Sequence, residues 1–298
     1  MKSCDVIIVN YNSGSLLVNS VQSALDSGAQ KVFVVDNHSL DKSLAFLDSS
    51  IHDERVHIIR NPKNLGFASA CNIGTRASNA NILLFLNPDG VLTPGALTRM
   101  IEVLKSKSST GMVGGLVCNP DGSEQRGGRR TFPTPRTTFA RAFGLTKLAK
   151  WFPTLYSDFL LHQNPLPKQP VPVEAISGSC MLVKREAIDD VGLWDEDYFL
   201  HCEDLDWCMR FHKKNWLVMF VPDAKIIHAL GACSKSRPVF VEWHKHRGML
   251  RFYKKFYKQS NLDPTWWLVV IGVWTRFIAL SAYLSLRSLL SRLGLTRG

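Results

Sequence analysis

Between Val6 and Lys105 the chain alternates short apolar runs with stretches of helical periodicity, and no other feature narrows its fold as much. Val6–Val9, Lys31–Val35, Val56–Ile59 and Ile82–Leu86 read as strands, and Ser15–Ser27, Ser43–Asp48, Phe67–Ser78 and Gly95–Lys105 as helices. In the first helix Leu16, Leu17, Val21 and Leu25 recur at helical spacing, and Gly28 ends it. Such alternation predicts an α/β fold, a mostly parallel sheet with right-handed crossovers flanked by helices. Ile82-Leu83-Leu84-Phe85-Leu86 is apolar throughout, as in a strand buried on both faces. It stops at Asn87-Pro88-Asp89, because Pro88 has no N–H to give the ladder. Asp89 is thereby delivered to the carboxyl end of a buried strand. Open α/β sheets bind ligands at that edge, and a carboxylate there can hold a divalent cation against a phosphate. A plain Asx-Pro turn is the alternative reading.

Further along, Gly111–Val117 reads as a strand and Asp121-Gly122 as a turn. Residues 131–172 hold seven prolines and read as a long loop with one helix near Thr138–Leu148. Loops of that length are usually functional or mobile. We read this one as a flap on the side of the second substrate, with a passive insertion as the alternative. Val173–Ile176 and Cys180–Lys184 flank Ser177-Gly178-Ser179. Arg185–Val191 and Asp204–Lys214 read as helices, and Val218–Val221 and Lys225–His228 as two short closing strands.

The 45% apolar fraction supports a substantial core, and no internal repeat argues for a solenoid. The first apolar run is too short for the core of a signal peptide. Without an export signal, the seven scattered cysteines read as free thiols in a reducing compartment. His201, Cys202 and Cys208 match no common zinc spacing. The net charge of +11 is uneven, because from Gly231 onward there are 12 Lys/Arg against 2 Asp/Glu. A near-neutral domain, 1–230, therefore carries a basic tail, 231–298. Glu242 to Lys258 reads as a basic amphipathic helix. Trp266 to Leu286 is long and apolar enough to cross a membrane. Its one charge, Arg276, would cost about 2.5–3.5 kcal/mol at the bilayer centre. Gly272, Arg276, Tyr283 and Arg287 share one side of a helical wheel, so the segment can also lie in the interface. A buried core helix is the third option. We expect attachment to an anionic membrane surface and no nucleic-acid partner, since a nucleic-acid reader needs no such apolar stretch.

Three predicted strand ends place acids or amides on one edge of the sheet: Asn10-Tyr11-Asn12, Asp36-Asn37 and Asn87-Pro88-Asp89. Together they suggest a nucleotide site at a switch point. No Gly-x-Gly-x-x-Gly follows the first strand and no P-loop motif occurs, so the nucleotide is expected as a substrate. Phe199 to Trp207 holds Glu203, Asp204 and Asp206 between aromatics. These acids suit the start of a helix, and one could serve as general base to a hydroxyl nucleophile. Asp206 and Arg210 have the spacing of a local ion pair. His228 ends a late strand, as a metal ligand or a core histidine.

The chain resembles family 2 glycosyltransferases of the GT-A fold, in particular their bacterial rhamnosyltransferase-like branch. The matching stretches run from about Asp5 to His228. They are Val9-Asn10-Tyr11-Asn12-Ser13, Val34 to Asp41, Asn61-Pro62-Lys63-Asn64-Leu65-Gly66-Phe67-Ala68 with Asn72-Ile73-Gly74, Leu86 to Asp89, Ser177-Gly178-Ser179-Cys180-Met181, and Phe199 to Asp206. The resemblance implies a Rossmann-like sheet, with Asp36 on the nucleotide base and Asn64 on the nucleotide moiety. It implies that Asp89 holds Mg²⁺ or Mn²⁺ on a diphosphate, with His228 as a further ligand, and that Asp204 is the base. Asn10, Asn12, Gly66, Asn87, Gly178 and Glu203 fall in the matching motifs as substrate-binding positions.

Two departures from the family pattern matter. Asn87 stands for the first Asp of Asp-x-Asp, which weakens the case for strong metal dependence. The Gln-x-x-Arg-Trp motif of processive synthases is absent, so transfer of one sugar is favoured. The expectation is an inverting transferase at the cytoplasmic face of the plasma membrane. It would move a sugar from a nucleoside diphosphate, with dTDP-L-rhamnose as first guess, to a lipid-linked or surface-glycan acceptor. A catalytically silent GT-A scaffold is the alternative. A nucleotidyltransferase would need a basic phosphate loop that Asn12-Ser13-Gly14-Ser15 lacks.

Overall fold

The four N-terminal apolar runs form neighbouring parallel strands in this computed structural model, which describes residues 4–135, 137–138, 160–229 and 237–292. They are β1 (Cys4–Asn10), β2 (Lys31–Asp36), β3 (Val56–Arg60) and β4 (Ile82–Leu86). The sheet continues through β10 (Cys180–Lys184), β6 (Thr110–Cys118), β11 (Leu217–His228) and β5 (Gly90–Leu92), in the order β3-β2-β1-β4-β10-β6-β11-β5. A short β8 (Val171–Pro172) pairs with β11, while β7 (Arg129–Arg130) and β9 (Ala175–Ile176) form a separate ribbon. β10 runs antiparallel to both its neighbours, and β5 and β8 run antiparallel to β11.

Every residue of β1, β4 and β6 is buried, as unbroken apolar runs require of central strands. One face of the sheet packs Val6, Ile8, Leu84 and Leu86 against Leu17, Val21 and Leu25 of α1 (Leu16–Asp26) and Leu97, Met100 and Leu104 of α4 (Ala96–Ser106). Each such side chain contributes about 1.5–3 kcal/mol on burial. Under the other face Phe85, Trp194, Trp207 and Phe211 form a ring cluster, with Trp194 and Trp207 centroids 4.1 Å apart. Among the described residues the remaining α-helices are α2 (Ser43–Ser50), α3 (Phe67–Ala77), α5 (Arg185–Val191), α6 (Glu203–Lys213), α7 (Pro238–Phe256) and α8 (Pro264–Arg292).

Two elements differ from expectation. The two closing strands are one bent strand, β11, whose register with β6 breaks between Val221 and Lys225. Pro222 lies in that break, where a bulge tolerates the missing N–H. β5 was not expected, because three residues after a Pro-Asp turn carry too little pattern. The helix expected near Thr138–Leu148 lies almost entirely outside the described residues. The chain divides into two compact units. The first is Met1–Phe132, Leu160–Phe199 and Glu203–Cys233, and the second is Pro133–Phe159, Leu200–Cys202 and Ser234–Gly298.

Candidate active site

Parallel pairing aligns the carboxyl ends of β1 and β2, so Asn10 and Asp36 are register partners. Asn10 is fully enclosed and sits behind Asp36, where its amide donates to Asp36 Oδ1 at 2.7 Å and to Ser43 Oγ at 2.9 Å. The backbone N–H of Ser39 donates to Asp36 Oδ2 at 3.1 Å. These donors fix the Asp36 carboxylate in one orientation. Asn12 holds the adjoining loop, with its Oδ1 accepting from the Leu40 N–H at 2.8 Å. Asn37 continues the edge by donating to the Gly66 carbonyl at 3.0 Å and accepting from Asn61 at 2.9 Å. Asn64 Oδ1 accepts the Gly66 N–H at 2.9 Å. Gly66 has φ +87°, and a Cβ there would stand 2.7 Å from the Phe199 carbonyl oxygen. Only glycine fits that turn.

The end of β4 meets the end of β11. His228 Nε2 lies 2.9 Å from Asp89 Oδ1 and 3.2 Å from the Asn87 side-chain nitrogen. His228 Nδ1 lies 2.7 Å from Gln125 Oε1. The Gln125 amide nitrogen is directed at the carbonyl of His228, at 3.3 Å, and at Asn119 Oδ1, at 3.2 Å. Gln125 Oε1 must therefore accept, so Nδ1 carries a proton and Nε2 is the nitrogen turned to Asp89. A carboxylate oxygen and an imidazole nitrogen at that spacing can share a proton or a cation. Residues Asp89 and His228 thus fit a divalent ion, and Gln125 orients the ring as partners of metal-bound histidines do. Among the described residues no group of three or more His, Cys, Asp or Glu forms a metal site, so further ligands would come from Asn87, substrate or water.

The base candidate is tied to the same edge. The Asn87 N–H donates to the Ser179 carbonyl at 3.0 Å, and Cys180 pairs with Leu86. The neighbouring Gly178 N–H donates to Asp204 Oδ2 at 3.1 Å. Asp204 lies in the first turn of α6 with Glu203 and Asp206, as the positive end of a helix favours. The chain enters α6 through His201 and Cys202 at φ +69° and +71°, a backbone strain typical of functional turns. Arg130 also bonds Asp204 Oδ2 and donates to the Ile176 carbonyl at 2.9 Å. Asp204 Oδ1 accepts the Leu205 N–H at 2.8 Å and keeps lone-pair capacity for an incoming hydroxyl.

Glu203 is buried, with Oε2 lacking a hydrogen-bond partner among the described residues. Burial, and then the charge of Asp204, push its carboxyl up to about 8, so it is neutral at pH 7. Asp206 pairs instead with Arg210, Nε to Oδ1 at 2.6 Å, and takes the Tyr198 hydroxyl at 3.2 Å. It belongs to the scaffold, as its helical spacing suggested.

The structure therefore brings the predicted residues into three groups on one sheet edge: Asp36 with its amides, Asp89 with His228, and Asp204 with Gly178 and Glu203. Sequence reasoning missed Gln125 and Arg130. The only advance signal for Arg130 was a cation pair, Arg129-Arg130, directly before the proline-rich segment.

A sheet of this order with acids at its carboxyl edge defines a GT-A-like glycosyltransferase fold, and a solved structure agrees. The mannosyltransferase PcManGT of Pyrobaculum calidifontis, in complex with GDP-Man and Mn²⁺, superposes with TM-score 0.58 at 14% identity, covering 99% of this chain and 81% of that one. The sequence profile described as Glycosyl transferase family 2 matches residues 5–192, and that of Glycosyl transferase family group 2 matches residues 130–294. The chain belongs to glycosyl transferase family 2 and is a glycosyltransferase. It is 28% identical over 304 aligned positions to the N-acetylglucosaminyl-diphospho-decaprenol L-rhamnosyltransferase of Mycobacterium tuberculosis, covering 96% of this chain and 94% of that protein. It is 24% identical over 256 positions to a dTDP-rhamnosyl transferase of Shigella flexneri, covering 83% and 76%.

Proposed function

We propose that the protein transfers a single L-rhamnose, with inversion, from dTDP-L-rhamnose to a lipid-linked diphosphate glycan or a related cell-surface acceptor. The observation that supports the chemistry is the bonded path from Asn87 through Ser179 and Gly178 to Asp204, which would join the proposed cation pole to the proposed base. The relatives named for rhamnosyl transfer support the choice of sugar and acceptor.

Asp36 would receive the nucleotide base, with Asn10 and Asn12 shaping the loop beside it and Asn64 and Gly66 the turn next to the nucleotide. Asp89 and His228 would hold Mg²⁺ or Mn²⁺, which would neutralise charge developing on the departing diphosphate. Asn87 and Gly178 would line the sugar's path. Asp204 takes the proton of the acceptor hydroxyl as that oxygen attacks the anomeric carbon. Glu203, neutral at pH 7, offers an uncommitted oxygen to a sugar hydroxyl.

In this reading residues 1–230 form the catalytic domain and the proline-rich segment 131–172 borders the acceptor. Residues 231–298 attach the enzyme to the cytoplasmic face of the plasma membrane, where a lipid-linked acceptor is found. Incubating the purified chain with a panel of nucleotide sugars tests the donor. dTDP-L-rhamnose should give the largest thermal stabilisation and the fastest hydrolysis. A stronger response to a UDP- or GDP-sugar would overturn that choice, and binding without any turnover would favour a silent scaffold.

A further inference from the structure

We propose that α7 and α8 lie flat on the membrane, with α8 half-sunk in one leaflet instead of crossing it. This rests on the membrane reading above and commits it to one geometry. By itself α8 passes for a spanning helix, since Pro264–Arg287 is 24 residues long with mean hydropathy 1.7 and only 6% of its apolar window is buried. Its neighbour argues against a crossing. α7 carries Lys245, Arg247, Arg251, Lys254 and Lys255 against a single acid, Glu242.

α7 packs beside α8 as an antiparallel partner. Lys258, just past α7, lies 5.6 Å over the ring of Trp266 near the start of α8. Trp243, early in α7, stands 5.1 Å from Trp274 and 5.5 Å from Phe277. His246 stands 5.5 Å from Phe277. These contacts surround the buried Val273, at the middle of the apolar stretch. A spanning α8 would place Trp274 and Phe277 near the bilayer midplane and carry Lys245 and Arg247 into hydrocarbon with them. Charged groups are strongly opposed there, and one apolar helix cannot compensate for five.

The exposure pattern of α8 fits a helix lying in the interface. Val273, Trp274 and Phe277 face α7. Leu268, Ile271, Ile278, Leu286 and Leu289 lie on the opposite side, each more than half exposed. Arg276 and Arg287 fall on the flank between those faces, a third of a turn or more from the middle of the apolar stripe. An apolar side in the acyl chains with cations at headgroup level is the cross-section of a monotopic helix. At 29 residues α8 is about 44 Å long, well beyond the roughly 30 Å of hydrocarbon that a crossing needs. The basic excess of the tail selects an anionic bilayer as the occupant of the stripe.

The test uses the full chain with a protease-cleavable epitope after Gly298, expressed in a bacterium. The epitope should be cut in inverted inner-membrane vesicles and protected in spheroplasts. Protection in inverted vesicles would overturn the flat geometry while leaving membrane attachment standing, and a fully soluble chain would overturn both. The paired change Ile271→Asp and Ile278→Asp should lower membrane partition about tenfold or more, with the melting temperature and nucleotide-sugar binding unchanged. Retention of that variant on membranes would remove the stripe as the lipid contact. So would a wild-type dimer in solution that the same change dissociates.

Discussion

Asp204 is a carboxylate whose surroundings decide what it can do. Gly178 and Arg130 hold one oxygen, which leaves the other to meet a hydroxyl. Asp204→Asn keeps the shape and removes the basicity. It should leave nucleotide-sugar binding intact and slow transfer about a hundred- to ten-thousand-fold in initial-rate assays. At the proposed cation pole, Gln125→Leu removes the acceptor that orients the His228 ring. Calorimetric titration should then show Mn²⁺ binding weakened about 10- to 100-fold, and EDTA should silence the wild-type enzyme until Mg²⁺ or Mn²⁺ is restored. Glu203 makes stability depend on pH. The folded chain keeps its proton up to about pH 8, whereas the unfolded chain loses it near the ordinary 4.5. Between those values the folded state binds more protons, so stability is fully present below the lower value and falls as pH rises toward the upper one. Glu203→Gln cannot ionise, so its melting temperature should gain steadily on that of wild type across the same window. The placement of Asp36, Asp89 and Asp204 was legible in the sequence because strand ends and a helix start mark them. Gln125 and Arg130 were not. Their partners stand 103 and 74 residues away, and only the folded chain brings them together.

At the level of elements, the strands that hold the site announce themselves through unbroken apolar runs, and four of them fell where the pattern placed them. β11 did not read as one strand, because Pro222 interrupts its pattern and a bulge carries the ladder past it. β5 was invisible, since its three residues pair with β11 only after the chain has turned at Asn87-Pro88-Asp89. The turn into α3 is as constrained as any strand. Phe67 N–H bonds the Phe199 carbonyl at 2.9 Å, and the Gly66 backbone sits in a region closed to other residues. Gly66→Ala should therefore cost about 1–3 kcal/mol, read as a lower midpoint in urea denaturation. A midpoint unchanged from wild type would show that the turn relaxes freely.

For the molecule as a whole, the uneven charge becomes a matter of where the enzyme works. The first 230 residues are nearly neutral, and the tail holds almost all of the positive excess. Each basic residue near an anionic leaflet contributes about 1 kcal/mol, and salt screens that attraction. Flotation with vesicles of rising phosphatidylglycerol content should show binding that grows with anionic lipid and falls between about 0.1 and 1 M salt. A salt-resistant remainder should persist through the apolar stripe of α8. The hydrogen-bonded step from Asn87 to Ser179 and on to Asp204 has a consequence for donor choice. Through it the adjacent strands β4 and β10 tie the proposed leaving-group pole to the proposed base on α6, so the spacing of the two is set by the backbone and not by the sugar. The identity of the sugar would then be read by the side chains around that link, and engineering a new donor should begin with them while leaving the carboxylates alone.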